Sequence, residues 1–360
     1  MYDRPPGLDQ AVAGSIETAL TGVAVYERTT VRLPDSYDAV FSWEVSGSQV
    51  TSKLSWPLPV ATRALLGVGD GWQVFCSWQG RSGSWVESIP LGCLDMVPDT
   101  GDTEISWTLD GKAQQPHLQP SAVNLTAEDR LIRLSRMPFT RDTSPTPGAT
   151  VRATAIKVVD RLLSVGAWTA SDTVDSTGVV WTDSRADALG TVLGQSGLVP
   201  WVDRHGVLQA IPTTQGTPVA QWDVIDYRRG GLSDALVNTI TVDGTGSNQE
   251  HVSGTATITT GPLRYGGPFG RRGRRVSNEL MRTNAACQSM ARHMLANIIR
   301  TTTIPVTVTI PVDPCLDPLD TVTISTPEGD MTGLAVAGAV SGGSALMSVT
   351  VAVPWQEVPL

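Results

Sequence analysis

One abrupt change of period constrains this chain more than any other feature. Thr283, Ala286, Cys287, Met290, Ala291, Met294, Leu295 and Ile298 recur at three- and four-residue steps and share one stripe. Gln288, Arg292, Asn297 and Arg300 fall mostly off it, so the spacing predicts an amphipathic helix. Immediately afterwards Ile304, Val306, Val308, Ile310 and Val312 alternate with Pro305, Thr307, Thr309 and Pro311. That is a strand with one buried face, and the two prolines on its other face predict an edge or an interruption. The turn Asp313-Pro314-Cys315-Leu316-Asp317-Pro318-Leu319-Asp320 leads into a second alternating run, Thr321 to Ser325. Prolines between the three aspartates point to turn chemistry, not to a catalytic cluster.

The rest of the chain repeats the strand signal. Alternation runs through Ala39–Val45, Val50–Trp56, Trp72–Trp78 and Ile105–Leu109, with turns such as Gly80-Arg81-Ser82-Gly83 between them. Six of the eleven tryptophans lie in this first part. At strand periodicity they read as core, not as a sugar-binding platform. From Ala113 to Gly148 the chain is polar, broken only by Leu131–Leu134, and ends in the linker-like Thr143-Ser144-Pro145-Thr146-Pro147-Gly148. Ala153, Ile156, Val159, Leu162 and Leu163 predict a helix stopped near Gly166. Thr182 or Asp183 can cap a second helix through Ala186, Leu189, Val192 and Leu193. Val199 to Ile211 reads as a hairpin with Gly206 in its turn. Further strands are expected at Leu236–Val242 and at His251–Thr260, and a closing hairpin flanks Ser341–Ser344.

Composition bounds the function. With 360 residues several domains are expected, and a net charge of −9 disfavours nucleic acid or an anionic membrane as the partner of the whole molecule. Only three of the 26 basic residues are lysine. Cys76, Cys93, Cys287 and Cys315 lack metal-ligand spacing and have apolar neighbours, which predicts buried free thiols. No apolar run reaches the roughly 18 residues of a membrane span, and the N-terminus lacks a signal-peptide core, so synthesis in a cytoplasm is expected.

No catalytic constellation, cofactor motif or metal motif emerges. Gly194-Gln195-Ser196-Gly197 has Leu198 where a nucleophile elbow needs glycine, and reads as a helix end. His117, His205, His251 and His293 are unpaired in sequence. Asp183 and Asp187 suit a helix start, and the calcium-like Asp243-x-Thr245-x-Ser247 lacks the expected later residues. One dense charge run remains: Arg271, Arg272, Arg274 and Arg275, after glycine-rich residues 265–270 and without an aromatic ladder. Its flanking glycines predict a mobile loop, and its charge makes it the candidate partner-docking site; the alternative reading is a grip on phosphate.

The helix ending Ala291-x-x-Met294-Leu295, the strand after it and Leu319-Asp320-Thr321-Val322-Thr323-Ile324 resemble the C-terminal part of phage tail hub proteins. Pro318-Leu319-Asp320 has leucine where that family usually has glycine. Asp187 through Gly197 with the hairpin after it looks like the hub's helix and hairpin. Trp43-Glu44-Val45, Trp85–Gly92 and Ile105–Asp110 resemble the first hub domain of minor tail proteins of phages infecting high-GC Gram-positive hosts.

The resemblance implies an α+β, predominantly β fold: two tube-like β-barrel or sandwich domains with a mixed α/β region between them. The expected boundaries are an arm at 1–22, a first tube-like domain at 23–148 and an α/β domain at 149–215. A second, discontinuous tube-like domain is expected at 216–245 and 301–360, with a strand–loop–helix insertion at 246–300. It further implies a non-enzymatic, homotrimeric tail-tip hub in the virion. Such a hub contacts a distal tail or tube adaptor, a tape measure protein and receptor-binding proteins, and DNA passes through its channel without specific binding. The alternative is a tail-tip module that binds or degrades cell-envelope glycan. A secreted carbohydrate-binding β protein is disfavoured by the absent signal peptide.

Overall fold

In the computed structural model the described residues are 4–13, 16–46, 49–66, 71–97, 105–109, 118–168, 173–174, 180–194, 196–231, 236–246, 249–277 and 282–357. The chain divides into two compact units: residues 1–226, 308–322 and 334–351 form the first, and residues 227–307, 323–333 and 352–360 form the second. The class is α+β and predominantly β, as the sequence leads one to expect.

The chain opens with α1 (Leu8–Ala13), β1 (Glu17–Tyr26), β2 (Thr29–Ser36), β3 (Val40–Ser46) and β4 (Gln49–Leu58). A short α2 (Val60–Leu66) leads to β5 (Gln73–Ser82), β6 (Trp85–Met96), β7 (Ile105–Leu109) and β8 (Leu118–Asp129). In the sheet of the first unit these pair in the order β3-β4-β8-β6-β5-β1-β2, with β7 also on β8. Alternation is the reason: β4 buries Val50, Ser52, Leu54, Trp56 and Leu58 while the intervening residues stay on the other face. Trp43, Trp56, Trp72 and Trp78 are core residues, not a platform.

Two expectations for this part need correction. The polar stretch after Ala113 contains β8, a twelve-residue strand between β4 and β6. Its alternation of Val123, Leu125 and Ala127 with polar residues carries the strand, and burying Val123 and Leu125 is worth about 1.5–3 kcal/mol each. Pro120 and the surrounding polar residues masked that signal. The arm is also shorter than expected, because β1 starts at Glu17 and pairs with both β2 and β5.

Next come α3 (Ile132–Arg136), α4 (Val151–Val159), β9 (Ser164–Val165), α5 (Arg185–Gly194), β10 (Leu198–Val202), β11 (Val207–Pro212), β12 (Ala220–Asp223) and β13 (Asp226–Arg229). Strands β10 and β11 form the expected hairpin, Gly206 takes φ 78°, and β9 joins β11 in parallel. Helices α3 to α5 pack on this small sheet through Leu134, Ala155, Val158, Leu189, Val192 and Leu208. The buried face of α4 is Val151, Thr154, Ala155, Val158 and Val159; Ala153 and Ile156 are exposed, so the expected stripe is displaced around the helix. Asp160 ends α4 in the left-handed conformation, well before Gly166. The cap of α5 is Ser184, whose hydroxyl accepts from the Asp187 N–H, and not Thr182 or Asp183.

The second unit holds β14 (Thr239–Thr245), β15 (His251–Thr257), β16 (Gly273–Ser277) and α6 (Asn284–Thr301). Strand β14 lies between antiparallel β15 and parallel β16, and α6 packs on this sheet through Cys287, Ala291 and Leu295, the middle of the predicted stripe. Thr283 caps α6 by accepting from the Ala286 N–H. The edge of β15 is closed by helix side chains: Asn284 accepts from the Ser253 N–H, and Gln288 bonds both N–H and C=O of Thr255.

The chain ends with β17 (Thr303–Pro311), β18 (Thr321–Thr326), β19 (Gly329–Ser341) and β20 (Leu346–Pro354), each contributing residues to both units. Ile304, Val306, Val308 and Ile310 form the buried face of β17, as the alternation requires. Strand β17 is not the sheet edge expected from its prolines: it lies between the four-residue β13 and β20. Leu319 adopts φ 62°, the left-handed region where the hub resemblance implies glycine. The turn keeps its geometry without the glycine: Leu319 donates to Ala335 O, and Ala335 donates to Asp320 O.

Candidate functional site

The arginine run is not an isolated loop. Gly273, Arg274 and Arg275 begin β16, in register with Thr239, Ile240 and Thr241 of β14. Residues 258–272 close on themselves: Tyr265 N–H donates to Ile258 O, Gly266 N–H to Gly270 O, and Asn238 Nδ2 to Gly270 O. Asn238 Oδ1 accepts from the Arg272 N–H. Gly261, Gly266 and Gly270 all have positive φ, so the glycines bend this segment into a hydrogen-bonded turn. The aromatic partners missing from the sequence reading are present. The Arg271 guanidinium lies 5.5 Å from the Tyr265 ring centroid, and that of Arg272 lies 4.6 Å from Phe269.

The four arginines divide by role. Arg275 grips Asp243 through both Nε and Nη2, and His251 Nε2 lies 3.0 Å from Asp243 Oδ1. The Arg275 bond, with a smaller His251 contribution, holds the Asp243 carboxyl below the usual carboxylate range. Residues Asp243 and His251, set aside in the sequence as a false calcium loop and a lone histidine, are thereby joined to the arginine run. Arg271 and Arg274 are exposed, as is Arg264 nearby. Among the described residues no group of His, Cys, Asp and Glu is arranged to hold a metal ion.

The first unit contains a second polar cluster that the sequence did not reveal. Arg204, in the β10–β11 turn, is buried against Asp317, with Nε 2.8 Å from Oδ1. It also donates to the carbonyls of Pro90, Pro314 and Leu316 at 2.8, 2.6 and 3.0 Å. Arg4 pairs with the buried Asp313, in the same 313–320 turn as Asp317. This arrangement pins three distant segments together. Cys315 beside it is buried and its thiol is pushed up to about 12. All four cysteines are buried free thiols, as expected.

A groove of 570 Å³ lies along the same unit, lined by Ser42, Glu44, Thr51, Lys53 and Glu128, with Asp129 also in its wall. Asp129 accepts from the N–H groups of Ser52 and Leu131, yet burial outweighs these bonds and raises its carboxyl to about 6. Burial likewise raises Asp320 to about 6. Each of these groups therefore holds its proton longer in the folded state than in the unfolded chain, and native protein binds more protons between about pH 4 and 6. Stability should fall as pH rises through that window, by on the order of 3 kcal/mol for Asp129 alone. The expected result is a melting temperature higher at about pH 5 than at about pH 7.5. A flat profile would contradict it. Asp243 acts in the opposite sense, and below this window.

No protein-family model and no curated protein sequence matches the chain. Solved structures do match. It is similar to the tail protein from Neisseria meningitidis MC58, with a TM-score of 0.56 at 13% identity over 92% of this chain and 96% of that one. It is similar to the 43 kDa tail protein of prophage MuSo2 from Shewanella oneidensis, with a TM-score of 0.59 at 10% identity over 94% of this chain and 100% of that one. A chain of the Francisella PdpA-VgrG complex gives a TM-score of 0.54 at 7% identity over 96% of this chain, which spans 59% of that longer chain. The fold of this chain is that of these two tail proteins.

Proposed function

We propose that the protein is a structural hub of a phage tail tip, a homotrimer that joins the tail tube to the distal tip and encloses part of the channel for DNA ejection. The single observation that carries this reading is likeness along nearly the whole length of two tail proteins, one of them from a prophage, in both directions. The hub pattern in the sequence supports it independently. In this reading the two tube-like domains fall at 23–148, extended back to Glu17 by β1, and at 216–245 with 301–360. The partners are a distal tail or tube adaptor protein, the tape measure protein and receptor-binding proteins, and the site of action is the virion.

A non-enzymatic role fits this reading. Ser196 sits in a tight turn after α5, where its N–H donates to Leu193 O and its hydroxyl oxygen is buried. Purified protein is expected to leave peptidoglycan intact in a zymogram. Reconstruction of the tail tip by electron microscopy tests the hub itself. Density for this chain should appear at the tip with three-fold symmetry, and six-fold or two-fold symmetry for it would overturn the trimer.

A further inference from the structure

We propose that residues 261–274 form a preordered docking surface for an acidic protein segment, a stretch rich in Asp and Glu on a neighbouring protein. The identity of the neighbour as a tail protein rests on the hub reading; the chemistry of the surface does not.

Charge comes first. Residues 251–277 contain five arginines and no acid at all. The second unit as a whole holds ten arginines, no lysine and seven acids, a net charge of +3 in a chain whose net charge is −9. Within the run, Arg275 is already matched by Asp243, whereas Arg264, Arg271 and Arg274 face solvent. An excess of cations on one small surface calls for an anionic partner.

Preorganisation comes second. The turn is closed by its own hydrogen bonds, and the Arg271 guanidinium lies over the Tyr265 ring. A guanidinium over a ring face keeps free N–H donors, which carboxylates accept in bidentate pairs. Phosphate could use the same forks, but one feature favours carboxylates. The segment has two aromatic rings, each already carrying a guanidinium on one face, so it offers no ladder of free rings for successive bases.

The test uses the full chain and a fluorescein-labelled peptide of about a dozen residues, mostly Glu and Asp, read by anisotropy beside an oligonucleotide of matched charge. The peptide should bind more tightly than the oligonucleotide. The triple variant R264S/R271S/R274S should weaken peptide binding at least about tenfold with an unchanged melting temperature, since it spares the structural pair Arg275–Asp243. R264K/R271K/R274K, which keeps the charge, should still weaken it several-fold. Removal of two other exposed arginines of the unit, R228S/R292S, should change little. Tighter binding of the oligonucleotide, wild-type affinity in the triple variant, or equal loss in R228S/R292S would each overturn the proposal. If the peptide results hold while the protein is absent from tail tips, the surface stands and the hub reading fails.

Discussion

Replacing Arg204 with methionine is expected to destabilise the first unit by about 3–5 kcal/mol, much of a domain's usual stability margin. Methionine fills part of the volume but leaves the Asp317 carboxylate buried without its cation. The carbonyls of Pro90, Pro314 and Leu316 lose their donors at the same time. The cost therefore comes from what is left behind, not from the attraction that is lost. A second change separates the two. In R204M/D317N the orphaned charge is gone, so the double variant should recover part of the loss, and a double-mutant cycle in urea measures the coupling. A loss below about 1 kcal/mol for R204M would show that the cluster is solvated and does not pin the turn.

The second large effect is expected at Gly254, a residue with no chemistry of its own. Strand β15 passes so close to α6 that a Cβ at this position would lie 2.1 Å from the Gln288 backbone nitrogen and 2.5 Å from the Cys287 carbonyl carbon. Overpacking against side chains typically costs 1–3 kcal/mol because they move aside. Here the obstacle is helix backbone, held in place by the Asn284 and Gln288 bonds to the edge of β15. G254A should cost at least about 3 kcal/mol, and G254V should prevent soluble folding of the second unit. Gly273, on the open strand β16, is the control, since a Cβ there meets only Thr239 O at 3.9 Å. G273A should change stability by no more than about 0.5 kcal/mol. Equal tolerance at both glycines would show that α6 does not sit on β15 as described.

Both sites show where local pattern stops carrying information. The helix stripe of α6, the alternation of β17, the β10–β11 hairpin and the core tryptophans are periodic over several residues, and burying one face requires that periodicity. They were legible for that reason. Strand β8 was not, because Pro120 and the polar residues around Asn124 obscure its alternation, and its place between β4 and β6 is decided by those partners. The arginine run was legible as charge, but its rings and its acid were not. Asp243 lies 32 residues from Arg275 and meets it only because β14 and β16 pair in parallel.

By itself the sequence determined the class of the fold, the elements with an unbroken period and the free, buried state of the cysteines. Each depends on the solvent preference of residues close together in the chain. Only the tertiary structure decided that Arg204 would find Asp317, 113 residues away, and that Arg275 would be spent on Asp243 while Arg271 and Arg274 stay exposed. Charge pairing depends on which backbones the packing brings within a few ångströms, and nothing in the local order of residues encodes that distance.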